Sequence, residues 1–369
     1  MAAIKKKQFS DEDILKEFST KTKYKDTNYY YCGQAYLDAC GMPGPVMGGI
    51  NMFLGHSNSS KTTAMILAAA DAQKKGHLPV FIITEKKWNW EHAVQLGLQA
   101  EQDEDGEWHG NFIFNDGFDY IEEITEFINK LIDAQASGKL NKSLLICWDS
   151  VGSVPCKMTF EGKGGKQHNA SALADKIGMG IHSRISKSKK EDYPTKENPL
   201  YVTMIVVNQP WVELPDNPFG QPEIKAKGGE ALWLASSIVF LFGNQKKAGI
   251  NHIDAVKGGR KVTYAIRTKI SILKNHVNGL AYRDGKIIAV PQGYIHDTKE
   301  ALETYKKDYS NFRALLESEK VQAYSTTDLF DINYIEGGCG FYIELNELVP
   351  SALKKQFWDA LPPCVHCEP

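Results

Sequence analysis

Short apolar runs, separated by Gly-, Ser- and Lys-rich stretches, organise the chain from about residue 46 onward. INMFL (50–54) ends in a Gly/Ser loop, and TTAMILAAADAQKKG after it reads as an Ala-rich helix closed by Gly76. LPVFIIT (78–84), SLLICWDS (143–150), LYVTMIVVNQ (200–209), SIVFLFG (237–243) and KVTYAIRTKISILK (261–274) follow. Runs of this kind, apolar on both faces and spaced by helical patterns, predict an α/β fold. It is a buried, mostly parallel central sheet with helices on both sides. Residues 1–31 are polar and Lys-rich and end in Tyr29-Tyr30-Tyr31; a short helix over Asp11–Phe18 is expected behind Ser10-Asp-Glu-Asp. This segment is too small for a domain and reads as a solvated tail or as an arm that docks on a neighbour. After about 298 the pattern turns to short mixed α/β, so the expected division is an arm (1–31), a core (32–298) and a small C-terminal domain (299–369).

Two stretches interrupt the alternation. PCKMTFEGKGGKQHNA (155–170) is Gly/Lys-rich, and PWVELPDNPFGQPEIKAKGG (210–229) combines prolines, glycines and aromatics. Each begins where an apolar strand ends, which is where open α/β sheets carry their ligand loops. Loops of that length inside a compact domain tend to be functional or disordered. The rest of the composition narrows the field. With 42% hydrophobic and 24% charged residues over 369 positions, the chain reads as an ordinary globular protein, and its net charge of −2 means that any basic surface is local. Seven scattered cysteines form no disulfide framework; Cys364-Val-His-Cys367 offers three metal ligands, one short of a closed zinc site. No signal-peptide core and no membrane-length apolar run is present, so a cytoplasmic location and no membrane association are expected.

LGHSNSSKTTA (54–64) carries the most chemistry. A phosphate loop needs inward backbone N–H groups, a helix N-terminus, a Lys for the β/γ oxygens and a hydroxyl for Mg²⁺. Gly55, His56, Ser57, Asn58, Ser59 and Ser60 would form that loop. Lys61 would neutralise phosphate, Thr62 would hold Mg²⁺, and Thr63 would add a hydroxyl. Ser60 stands where the motif has its second glycine, and a helix-like backbone is expected there. The bland alternative is a Ser-rich turn capping a helix. Asp149, ending a buried strand, suits a Mg²⁺ held through water, or a helix-capping Asp-Ser pair. Glu85 ends the next strand and is either a general base for water or a solvated charge beside Lys86 and Lys87. Asn208 and Gln209 end another strand, where an amide can meet the γ-phosphate and relay its presence to the loop that follows. Trp88, Trp90 and His92 are candidates for an adenine face, or pack at a helix start.

Taken in order, these elements resemble the RecA family of recombinases. Glu85 matches that family's catalytic glutamate, CWDSVGSV its Walker B segment, and GKQHNASALA its first DNA-binding loop with His168 in register. VVNQ followed by KGGEALWLASSIV resembles its second DNA loop and the helix after it. ISILKNH resembles the strand that reaches a neighbour's ATP, with Lys274 and His276 in place of a Lys-x-Lys pair. The likeness covers roughly residues 40–295. It implies a RecA-like P-loop ATPase core, ATP and Mg²⁺ as cofactors, and Glu85, Lys61 and Gln209 as catalytic residues. It further implies a helical filament on single-stranded DNA, pairing with double-stranded DNA, and help from single-strand-binding and mediator proteins. Lys157, Lys163, Lys166, Trp211, Phe219, Lys225 and Lys227 suit single-stranded DNA as backbone cations and base-stacking aromatics. The Gly228-Gly229 amides and Arg184 are further phosphate contacts. Ser60 and His276 depart from the family pattern; laxity in the phosphate loop, a short N-terminal segment and a modest C-terminal domain resemble its bacteriophage branch, the UvsX-like proteins, and a chain of that branch would act in the host cytoplasm.

Three other readings compete. A replicative helicase of the same fold would bring an N-terminal collar, for which the first 40 residues leave no room. A DNA filament protein that binds ATP with little turnover is suggested by Ser60. A small-molecule kinase or transporter ATPase gives the two long loops no role, and no LSGGQ-type signature is present.

Overall fold

A computed structural model describes residues 22–213, 223–227, 229–244, 250–257, 260–282, 284–306, 330–334 and 341–345. The expected helix over Asp11–Phe18, Phe219, Gly228 and the Cys364-Val-His-Cys367 cluster lie outside the described residues, as does most of the expected C-terminal domain.

The elements run α1 (Gln34–Cys40), β1 (Ile50–Gly55), α2 (Lys61–Lys74), β2 (Leu78–Ile83) and α3 (Trp90–Gln95). A two-residue ladder follows, β3 (Glu101–Gln102) with β4 (Trp108–His109), then β5 (Ile113–Asn115), α4 (Ile121–Ala136), β6 (Leu144–Asp149) and α5 (Lys157–Phe160). Next, α6 (Lys166–Ala172) runs through π-helical turns (Leu173–Ile181) into α7 (His182–Lys187), then β7 (Val202–Asn208), β8 (Pro210–Glu213), β9 (Glu223–Ala226) and α8 (Glu230–Ala235). Last come β10 (Ser236–Phe242), β11 (Asn251–Lys257), β12 (Arg260–Asn275), β13 (Gly285–Val290), β14 (Gly293–His296) and the hairpin β15 (Phe330–Tyr334) with β16 (Phe341–Leu345).

Ten strands form one sheet, in the order β14-β13-β12-β10-β1-β7-β6-β2-β5 with β11 on β12. From β10 to β5 all pairs are parallel; β11 to β14 join antiparallel. The parallel strands are buried on both faces, as their unbroken apolar runs require. Within β1, Phe53 joins one core cluster while Ile50, Met52 and Leu54 join the other. The first cluster packs beneath α1 and α2 with Tyr30, Tyr36, Phe81, Phe240 and Phe242. The second takes Ile121, Ile124, Ile128 and Ile132 of α4, a 3/4 spacing that puts them on one stripe, together with Ile177 and Ile181 of the π-helical turns. Each such side chain contributes about 1.5–3 kcal/mol by leaving water. Buried Asn51 spends its amide on the Val46 N–H (2.9 Å) and the Val46 carbonyl (3.0 Å), which fixes the entry to β1.

Three expectations are corrected here. Residues 155–170 are not a featureless loop: they contain α5 and the start of α6. Residues 210–229 begin and end as a ribbon, β8 on β9, with Trp211 opposite Lys225. The division at 31/32 is not where packing ends, because Tyr30 and Cys32 are fully buried in one cluster. Residues 23–25 also pair with 189–191, and the Lys25 ammonium donates to the carbonyls of Ser188 (2.7 Å), Leu200 (2.6 Å) and Tyr193 (3.1 Å).

Candidate nucleotide-binding site

Parallel strands bring their C-terminal ends to one edge. In register, Ile83 pairs with Asp149, Asp149 with Val207, and Leu54 with Asn208. Strands β2, β6, β7 and β1 are neighbours in that order, so Glu85, Asp149, Gln209 and the 55–60 loop open onto one cleft of about 590 Å³.

The loop is held by its own groups. A Cβ on Gly55 would lie 2.5 Å from the Phe242 carbonyl oxygen and 2.6 Å from Ser59 Oγ, so the close approach of β1 to β10 demands glycine. Ser59 Oγ donates to the His56 carbonyl (2.7 Å), and so does Lys61 Nζ (2.6 Å). Asn58 and Ser60 are left-handed, at φ 58 and φ 67. This corrects the expectation of a helix-like Ser60: the position keeps the backbone of the glycine it replaces. Its carbonyl accepts a hydrogen bond from the Tyr294 hydroxyl at 2.6 Å, which pins the loop to β14. No side chain of Ser60 caps α2, so the first N–H groups of that helix face the loop as an anion site would need.

Electrostatics fit the same use. Lys61 is only 7% exposed. Burial lowers its pKa to about 8, opposed by the charges of Asp149 and Glu85. Burial raises the Asp149 pKa, with Glu85 adding to the rise, while the Thr62 hydroxyl, donating to Asp149 Oδ2 at 2.6 Å, and Lys61 oppose it. A largely desolvated carboxylate touching a hydroxyl at the cleft is a group that a divalent cation would stabilise. Ser150 donates to Glu85 Oε1 at 2.6 Å and aims that carboxylate. The Asp149–Ser150 peptide is cis.

Several expected residues sit elsewhere than anticipated. Trp88 and Trp90 pack with Phe81, Trp108, Phe112 and Phe114, so they are core and not an adenine face; His92 does line the cleft. The apolar wall comes instead from Tyr264 and Ile266 of β12, Val290 of β13 and Pro291 just after it, which sequence reading missed. Lys274 and His276 do not line the cleft of their own chain. Lys274 Nζ donates to the Trp233 and Leu234 carbonyls at the end of α8 (2.7 and 2.8 Å), and His276 is exposed.

Among the expected DNA contacts, Lys163 is exposed and pairs with Glu161 at 2.9 Å. The Lys166, Trp211 and Lys225 side chains lie outside the described residues. Arg184 is not free: it donates to Asn129 Oδ1 at 2.6 Å and to Asp133 on α4. Lys227 is turned inward, donating to Gln209 Oε1 at 2.9 Å. Gly229, left-handed at φ 87, starts α8 against Ala170 of α6, so the two DNA-loop candidates lie side by side. Met158 (48% exposed) and Phe160 (56%) project from α5, a feature hidden in sequence by the surrounding Gly and Lys.

No helix among the described residues is long and apolar enough to cross a membrane. The family model for the RecA N-terminal domain matches residues 1–288. Protein RecA of Bdellovibrio bacteriovorus is 26% identical over 270 residues, 73% of this chain and 62% of its own. Protein RecA of Wolinella succinogenes is 27% identical over 246 residues, 66% of this chain and 60% of its own. That of Streptomyces venezuelae is also 27% identical over 246 residues, 66% of this chain and 55% of its own. The chain thus spans about three-fifths of the length of the curated relatives it matches.

Proposed function

The chain belongs to the RecA family, and on that premise we propose that it is an ATP-dependent DNA recombinase that assembles on single-stranded DNA and promotes strand exchange in recombination and repair. The observation that carries the proposal is the convergence of Lys61, Thr62–Asp149, Glu85–Ser150 and Gln209 on one cleft, with the candidate DNA-loop residues leading away from it.

ATP enters with its phosphates on the 55–63 loop and its base toward Tyr264, Ile266, Val290 and Pro291. Lys61 exchanges the His56 carbonyl for phosphate oxygens. Thr62 and Asp149 would hold Mg²⁺, which when bound draws charge from the phosphate oxygens. Glu85, oriented by Ser150, takes one proton from water. The water oxygen bonds to the γ-phosphorus as the bond to the β–γ bridging oxygen breaks, and that oxygen leaves on ADP. Gln209 senses the γ-phosphate, and its link to Lys227 passes the signal to the second loop.

On the DNA side, Lys163, Lys166, Trp211, Phe219, Lys225 and the Gly228-Gly229 amides bind the strand, with Met158 and Phe160 added as apolar wedges. Lys274 and His276, directed away from their own cleft, serve the ATP of the next protomer in a helical filament, and the N-terminal arm, expected over residues 1–31, docks on the adjacent core. Ser60 supports placement in the UvsX-like bacteriophage branch. Single-strand-binding and mediator proteins are the expected helpers.

Negative-stain images of the chain with single-stranded DNA and a slowly hydrolysed ATP analogue test the assembly, together with a strand-exchange assay. Helical filaments and exchanged product are expected. Rings without exchange would favour a helicase and overturn the proposal.

A further inference from the structure

A second cleft, of about 390 Å³, adjoins the first at Glu85. It shares Ser57, Glu85, Lys87, Ser150 and Gln209 with the first cleft and adds Thr84, Gly152, Ser153 and Lys227. Its Ser153 and Thr84 hydroxyls lie 2.5 Å apart and both contact the Ser150 carbonyl (2.6 and 2.9 Å). Two lysines therefore supply its charge, Lys87, which lines both clefts, and Lys227.

Lys227 is placed with unusual care for a loop residue. Its N–H donates to the Gln209 carbonyl (3.2 Å), its carbonyl accepts from the buried Asn208 amide (2.7 Å), and its ammonium reaches Gln209 Oε1 (2.9 Å). Its aliphatic stem lies across Gly152: a Cβ there would come within 2.9 Å of Lys227 Cδ. The groove that admits the lysine exists because residue 152 has no side chain.

We propose that this second cleft is an acceptor site for orthophosphate, which receives the cleaved γ-phosphate through the opening beside Glu85 and holds it on Lys227 and Lys87. The inference rests on the nucleotide-site reading. Two cations in a polar recess, bordered by the residue that takes the proton from water, match a phosphate dianion or monoanion. Because Lys227 is stitched to Gln209 and Asn208 at the end of β7, phosphate occupancy would pull on the base of the second loop.

The test uses the full chain saturated with ADP and Mg²⁺, titrated with inorganic phosphate and followed by phosphorus-31 NMR. Wild type is expected to bind phosphate, and Lys227→Gln to bind it at least about tenfold more weakly, the scale of one hydrogen bond to a charged group. Gly152→Ala keeps both lysines but evicts the stem, and is expected to weaken phosphate severalfold. ADP binding with no phosphate binding, or variants that bind phosphate as wild type does, would overturn the acceptor site alone. Failure to bind ADP at all would overturn the nucleotide-site reading and the acceptor site with it.

Discussion

Ser60 holds a left-handed backbone, φ 67 and ψ 22, at the point where β1 turns into α2. An L-residue in that region costs about 1–2 kcal/mol. Ser60→Gly removes the cost but adds about 0.5–1 kcal/mol of unfolded-chain entropy. The serine hydroxyl contributes little in return, since its 2.6 Å bond goes to the adjacent Ser59 carbonyl. The Tyr294 contact is made chiefly to the Ser60 carbonyl, which glycine retains. The balance is a gain of about 0.5–1 kcal/mol for Ser60→Gly, equivalent to a rise of about 1 °C in melting temperature for a chain of this size. Ser60→Ala keeps the strain and is expected to melt at or slightly below wild type. Thermal unfolding followed by circular dichroism, without nucleotide, compares the three. A glycine variant that melts below wild type, with the alanine variant unchanged, would refute the strain argument.

Other consequences follow from the same geometry. Because burial holds Lys61 at about 8, anionic phosphate must raise its pKa on binding. MgATP binding above pH 8 should therefore take up a proton that it does not take up near pH 6, measured by calorimetry in buffers of different ionisation enthalpy. The sign for stability is the same: the unfolded lysine holds its proton up to about the ordinary lysine value of 10.5, so the Lys61 penalty on folding is full below pH 8 and disappears as pH rises from 8 toward 10.5. Gly55→Ala forces a Cβ onto the Phe242 carbonyl and should cost about 1–3 kcal/mol in urea unfolding, with loss of nucleotide binding seen by fluorescent-ATP titration. Trp90→Ala should cost about 3 kcal/mol of stability while leaving discrimination between ATP and GTP intact, because the ring packs among Trp88, Trp108, Phe112 and Phe114; a changed base preference would contradict that placement.

The strands were legible because each is a nearly unbroken apolar run, and a parallel strand covered on both faces can hardly be anything else. The motif residues were legible because they sit at the ends of those runs, where parallel topology collects them. What escaped was non-local or masked by composition. Tyr264 and Ile266 on β12 form the cleft wall with Val290 and Pro291 by antiparallel pairing, which no local pattern around the phosphate loop announces, and the tryptophans after Glu85 drew attention that belongs to packing. Helix α5 is hidden by Gly and Lys on its C-terminal side, and the β8–β9 ribbon by prolines. The backbone of Ser60 is set by the turn rather than by the side chain, so residue type pointed the wrong way. Arg184 and Lys227 look like free cations in sequence; only the fold shows the Asn129 and Gln209 oxygens that receive them.

The central claim is that the cleft turns over ATP in response to DNA, with Glu85 as the base. The steady-state rate of phosphate production by wild type and by Glu85→Ala, each with and without single-stranded DNA, tests it most directly. Wild type is expected to be strongly stimulated by DNA, and Glu85→Ala to lose at least about a hundredfold in rate while still binding ATP. A wild-type rate indifferent to DNA, or a Glu85→Ala rate equal to wild type, would contradict the account.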